Sequence, residues 1–261
     1  MQIITSLLLS LIILPSFQAL PNAHGNIAAF GTQEVNEQIN KTITLSEGSN
    51  VRVSSISGGV NIETWDGDKA EINIKIRASS REAMERRPLI VENTPNSLTI
   101  HTQEDREGRR SGGDRGWVHQ DVRLRLPKSI NLRISSIGGS VDVGQITGEI
   151  ALSSIGGGVE VTQAGTATQM SSIGGGATIS LLRIEQGGLR VSSIGGGVEI
   201  GLPATINAEL EVRSVGGGID TDLPINVVGQ MKHGQLRGTI GTGGPQIIIT
   251  SVGGSVRLRR M

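Results

Sequence analysis

The chain has 261 residues, with 24 Lys and Arg balancing 24 Asp and Glu, 38 glycines, two Trp, two Phe, and neither Tyr nor Cys. A formal charge of zero supplies no global field for nucleic acid or an anionic membrane. The lack of Cys excludes disulfides, thiolate metal sites, a Cys nucleophile and a lipidated N-terminal Cys. With so few aromatic rings, Val, Ile and Leu must fill the core.

Residues 1–25 read as a signal peptide. The apolar stretch Ile3–Leu14 ends at Pro15 and is shorter than the ~20 residues of a membrane-spanning helix. Ala23-His24-Gly25 puts small residues at the −3 and −1 positions of a cleavage site. The expected location is therefore the periplasm, the cell surface or the extracellular medium. No other segment is apolar enough to cross a membrane.

Residues 26–48 are polar and predict a loosely docked entry segment. Residues 49–128 form an irregular N-terminal β portion, in which Ala70, Ile72, Ile74 and Ile76 alternate as a strand. Leu98 with Ile100, and Val122 with Leu124 and Leu126, predict two more. Ser79–Arg87 predicts a short helix capped by Ser80. The segment 103–116 mixes four Arg with four acids, glycines and no apolar residue until Trp117. It reads as an exposed loop, and its balanced charges do not make a nucleic-acid arm.

Regular repeats fill 129–261, a stretch joined by one earlier copy. Five close copies begin at Ser54 (SSISGGVNI), Ser135 (SSIGGSVDV), Ser153 (SSIGGGVEV), Ser171 (SSIGGGATI) and Ser192 (SSIGGGVEI). Two looser ones open at Arg213 (RSVGGGIDT) and Thr250 (TSVGGSVRL). Apolar residues alternate on both flanks, so each copy is two strands with one buried face. Between them, [Ile/Val]-[Gly/Ser]-Gly-[Gly/Ser] lets the chain turn a corner, because glycine reaches φ > 0 without a Cβ clash. From Ser136 to Ser214 the copies recur every 18 or 21 residues. That spacing predicts an all-β fold, a β-solenoid of stacked 18–21-residue rungs. On this reading the corner Ile and Val fill the core, and the second Ser of each copy points inward, its hydroxyl satisfied by its counterparts above and below. The last repeat closes the stack, with Arg257–Arg260 charging an open edge.

These residues resemble a known family. The repeated SSIGGGVEV, the early Glu63-Thr64-Trp65-Asp66-Gly67-Asp68, and Leu236-Arg237-Gly238-Thr239-Ile240-Gly241 before the final TSVGGSVRL are similar to the bacterial "putative adhesin" domain of unknown function. The resemblance spans roughly residues 40–260. It implies a solenoid-like, secreted or envelope protein with no assigned catalytic residues.

Few residues suggest chemistry. The Gly-Gly-Gly runs lack the Lys-[Ser/Thr] and following helix of a phosphate loop. Asp142, Glu160, Glu199 and Asp220 form an outward acidic column broken by Thr178, which reads either as a cation site or as a solvated face relieved by Arg133 and Arg190. The outward hydroxyls of Ser54, Ser135, Ser153, Ser171, Ser192 and Thr250, interrupted by Arg213, make a regular face for ordered water or a repetitive polymer, or else are small residues required beside a tight corner. His101 and His119 flank the charged loop, and two His without a third ligand are weak evidence for metal. Trp65 and Trp117 are expected at a core end or a loop base.

The leading expectation is an exported, non-enzymatic structural or interaction module of the cell envelope, without cofactor or nucleic acid, whose partner is an envelope protein or polysaccharide. Two alternatives stand beside it. One is a polysaccharide-active or metal-assisted enzyme with a groove near residues 101–123. The other is an envelope-stress sensor acting through loop 103–116.

Overall fold

The computed structural model describes residues 34–103, 116–227 and 234–261. The segment read as a signal peptide and all but the ends of loop 103–116 lie outside the described residues.

Strands form where the period-two alternation predicts them, and also at Val35–Thr44, Leu89–Thr94 and Ile225–Val227, where no strand is predicted. The entry segment gives β1 (Val35–Thr44), and the N-terminal portion gives β2 (Asn50–Ile56), β3 (Val60–Trp65), β4 (Lys69–Ala78), β5 (Leu89–Thr94), β6 (Ser97–Thr102) and β7 (Val118–Pro127). The repeats give β8 (Asn131–Ile137), β9 (Val141–Ile155), β10 (Val159–Ile173), β11 (Ala177–Leu181), β12 (Leu189–Ile194), β13 (Val198–Leu202), β14 (Ala208–Val215) and β15 (Ile219–Thr221). β16 (Ile225–Val227), β17 (Gln235–Ile240), β18 (Gln246–Val252) and β19 (Val256–Arg260) follow. Apart from the five-residue helix α1 (Arg81–Glu85), the described chain is all-β. At its start the Ser80 hydroxyl accepts the Ala83 N–H at 3.1 Å, filling one of the donors a helix start leaves unpaired. The polar segment before Gly48 is not loose throughout: β1 pairs with β4 over ten antiparallel positions and packs Val35, Ile39 and Ile43 on the core.

Each repeat contributes one strand before its corner and one after it, and these build two parallel ladders. The first runs β6–β2–β8–β9–β10–β12–β18–β14. The second runs β7–β3–β9–β10–β11–β13–β19–β15. At fifteen residues, β9 and β10 are long enough to serve in both. Register places equivalent side chains opposite one another, as in the buried file Ile134–Leu152–Met170–Val191–Ile249–Val212. The buried side chains of both ladders make one continuous apolar cluster.

Spatial order departs from chain order twice. β18 and β19 wedge between β12–β13 and β14–β15, while β2 and β3 lie between β6–β7 and β8–β9. The expectation that the last repeat closes the stack is therefore corrected. Val256 pairs with Val198 on one side and Ile219 on the other, so Arg257–Arg260 guards no free end. Antiparallel strands terminate the parallel run instead. β4, β1 and β5 cap one end, and β17 with β16 caps the first ladder at the other.

The inward serines are satisfied differently from the prediction. Among the described side chains no hydroxyl-to-hydroxyl ladder forms. Ser172 Oγ lies 3.0 Å from the Gly157 carbonyl of the neighbouring rung and 2.9 Å from the Gly175 carbonyl of its own. Ser193 sits likewise on Gly175 and Gly196, Ser214 on Gly217 and Gly254, and Ser251 on Gly196 and Gly254. The hydroxyl's one proton is shared by two corner carbonyls, which ties successive corners together.

Candidate interaction surface

The corner sets which way the repeat's Ile or Val points. In six copies it precedes a glycine with positive φ, from +82° at Gly216 to +128° at Gly138, a conformation that L side chains avoid. The preceding residue faces solvent in all six: Ile137, Ile155, Ile173, Ile194, Val252 and Val215 are 41–64% exposed. The copy in β2 supplies the contrast. It has Ser57 where the others have that glycine, its register shifts, and Ile56 lies opposite Ser136 with no exposure. The expectation that the corner aliphatics belong to the core holds only there. The next glycine admits no side chain: a Cβ on Gly157 would sit 2.5 Å from the Gly139 carbonyl carbon. Bare backbone therefore stacks on backbone beside each exposed aliphatic residue.

Pairing aligns these residues in one file, Ile137–Ile155–Ile173–Ile194–Val252–Val215. Five steps of strand spacing make a ridge about 24 Å long. Two residues earlier on each strand, and so on the same face, lies the hydroxyl file Ser54–Ser135–Ser153–Ser171–Ser192–Thr250. Arg213 does not interrupt it but ends it, because β14 lies outside β18. Two residues earlier again come Arg52, Arg133, Ala151, Gln169, Arg190, Ile248 and Glu211.

Across the corner, the second ladder presents Asn61–Asp142–Glu160–Thr178–Glu199–Arg257–Asp220. The four predicted acids share this file, with Asp142 directly opposite Glu160. Arg257, which chain order does not place there, separates Glu199 from Asp220, and Arg259 adds an ion pair to Asp220 at 3.7 Å. Arg133 and Arg190 stand on the first ladder, across the ridge from the acids. Among the described residues no group of three or more His, Asp or Glu side chains is placed to hold a metal ion.

The other candidates resolve locally. His101 is on β6 in the first ladder and His119 on β7 in the second, where its Nε2 lies 3.0 Å from Asp121 Oδ1. Asp121 also pairs with Arg77 at 3.6 Å. That corner borders a cavity of about 490 Å³ lined by Asn36, Gln38, Lys75, Arg77 and Arg123. Trp65 lies beneath the Arg125 guanidinium, 4.6 Å from its ring centre, and donates Nε1–H to the Lys69 carbonyl at 2.9 Å. Trp117 is exposed beside α1, where its N–H bonds the Ser79 hydroxyl. Glu211 accepts from Arg237 and Arg213 at 3.0 and 2.8 Å, and those two hydrogen bonds hold its carboxyl below the usual carboxylate range.

No helix among the described residues is long and apolar enough to cross a membrane. No family model and no curated protein matches the chain. Among solved structures it is similar to a "putative cell adhesion protein" from Clostridium sporogenes, with 13% identity over 87% of this chain and 100% of that one and a TM-score of 0.49. A "putative adhesin" from Bacteroides fragilis shares 13% identity over 86% and 97% of the two chains, with a TM-score of 0.32. A "putative lipid binding protein" from Parabacteroides distasonis shares 13% over 86% and 96%, with a TM-score of 0.29.

Proposed function

We propose that the chain is an exported, non-enzymatic β-solenoid that serves as an interaction module of the cell envelope, as its sequence resemblance implies. The two parallel ladders, with equivalent residues in register, support the solenoid reading. The observation that carries the functional reading is the ridge. Six aliphatic side chains stay exposed in one file although each could be replaced by a small polar residue without loss of core. A contiguous apolar patch of this extent on a protein surface is often functional. The hydroxyl file beside it adds one donor and acceptor per rung, so an extended envelope protein or polysaccharide would be held by many weak, equivalent contacts.

Co-sedimentation of the purified chain with envelope fragments tests this. Binding should fall in graded steps as ridge positions are replaced by Thr, and survive any one replacement. Retention of full binding when the whole ridge is replaced would contradict the reading, as would a chemical turnover of envelope polysaccharide.

A further inference from the structure

We infer that the ridge accepts a second copy of this chain, the two stacks lying side by side and parallel about a twofold axis that runs along the ridge. The inference rests on the interaction reading above and names one occupant. A contact about a twofold must be self-complementary, and the charges flanking the ridge meet that condition in one orientation only.

On the first-ladder side stand Arg52, Arg133 and Arg190, and on the second-ladder side Asp142, Glu160 and Glu199. None of the six takes part in an ion pair among the described residues, whereas Glu211 and Asp220 in the same two files pair with Arg213, Arg237 and Arg259. Two rungs carry both signs: Arg133, Ile137 and Asp142 in one, and Arg190, Ile194 and Glu199 in the other, while the acids of the outermost rung are Glu211 and Asp220, already paired with those arginines. Rotation about an axis along the ridge sets each rung against the same rung of the second copy and exchanges the flanks. Arg133 then faces Asp142 of the second copy, and Arg190 faces its Glu199. A twofold perpendicular to the ridge sets basic flank on basic flank, where like charges oppose association. A surface of lone sign, such as an anionic bilayer, meets attraction on one flank and repulsion on the other.

Area sets the strength. Six half-exposed Ile and Val side chains make an apolar stripe on the order of 300–600 Å². A pair built on it buries about 1,000 Å² in total, below the range of stable complexes and in that of weak, transient ones. The pair is therefore weak and concentration-dependent, with the flanking charges fixing orientation more than affinity. The chain's zero net charge leaves no global repulsion to oppose it.

Sedimentation of protein purified from cells expressing the full chain, from micromolar to millimolar concentration, tests the pairing. The wild type should pass from monomer to dimer, and added salt should weaken it by screening the flanks. Replacing Ile155, Ile173 and Ile194 together by Thr should raise the dissociation constant at least tenfold with circular dichroism unchanged. Arg133→Glu with Arg190→Glu should do the same, and adding Asp142→Arg with Glu199→Arg should restore the dimer. A monomer at every concentration overturns the inference, as does a dimer indifferent to the Thr replacements or a charge exchange that restores nothing. A monomer that still binds envelope fragments through the ridge rejects the second copy and leaves the interaction reading standing. A monomer that binds neither removes both.

Discussion

The Ser172 hydroxyl lies 3.0 Å from the Gly157 carbonyl oxygen one rung away and 2.9 Å from the Gly175 carbonyl of its own corner. The same side chain, repeated at Ser193, Ser214 and Ser251, turns a set of separate corners into a bonded column. That column holds the exposed ridge in a fixed register.

Removing that hydroxyl should therefore cost stability. Ser172 is buried, and Ser172→Ala leaves the Gly157 carbonyl without its hydroxyl donor and the Gly175 carbonyl with that of Ser193 alone, at about 1–2 kcal/mol. Ser171→Ala, on the outward face of the same strand, should change stability by less than about 0.5 kcal/mol. Urea unfolding of the two variants compares them directly. Equal losses would show that the inward hydroxyl is not what ties the corners.

Truncation after Gly244 should unfold the stack rather than fray its end. β18 and β19 fill both ladders between β12–β13 and β14–β15, so their loss leaves a gap and strips Leu189, Val191, Val198, Ile200, Leu210 and Val212 of these neighbours. The expected result is loss of the cooperative thermal transition. A truncated chain that melts like the wild type would place the last repeat at an end.

The carboxyl of Glu211 should titrate below an ordinary glutamate. Its side chain is 22% exposed and hydrogen-bonded first by Arg237 and then by Arg213. Because its folded-state pKa lies below the unfolded value of about 4.3, its contribution is complete above that value. It is lost as pH falls through the folded-state pKa. Carbon-detected NMR should follow that titration, and Arg237→Ala should move it upward. An unchanged midpoint in the variant would remove Arg237 as the cause.

Much of the frame was legible in the sequence. Period-two alternation marks the repeat strands, and Ser80 marks the start of α1, because local pattern and capping act within a few residues. Two things were not legible. The wedge of β18 and β19 between β13 and β15 is set by long-range pairing, and repeated Val and Ile files fit one neighbour as well as another. The ridge carried a signal that was misread. If the second Ser points inward, strict alternation puts the following Ile outward, as at Ser172 and Ile173. Hydrophobicity suggested the core, and alternation gave the right face. The acidic file was found, but its neutralising partner, Arg257, came from a strand far along the chain.

The most direct test of the ridge as a distributed contact surface is a substitution series read by binding to envelope fragments. Ile137, Ile155, Ile173 and Ile194 would each be replaced by Thr singly, in pairs and all together, with circular dichroism confirming the fold. Each single replacement should weaken binding by a similar small factor, and the factors should multiply as positions are combined. Abolition of binding by one replacement, with the other three without effect, would instead locate a single pocket and contradict the account.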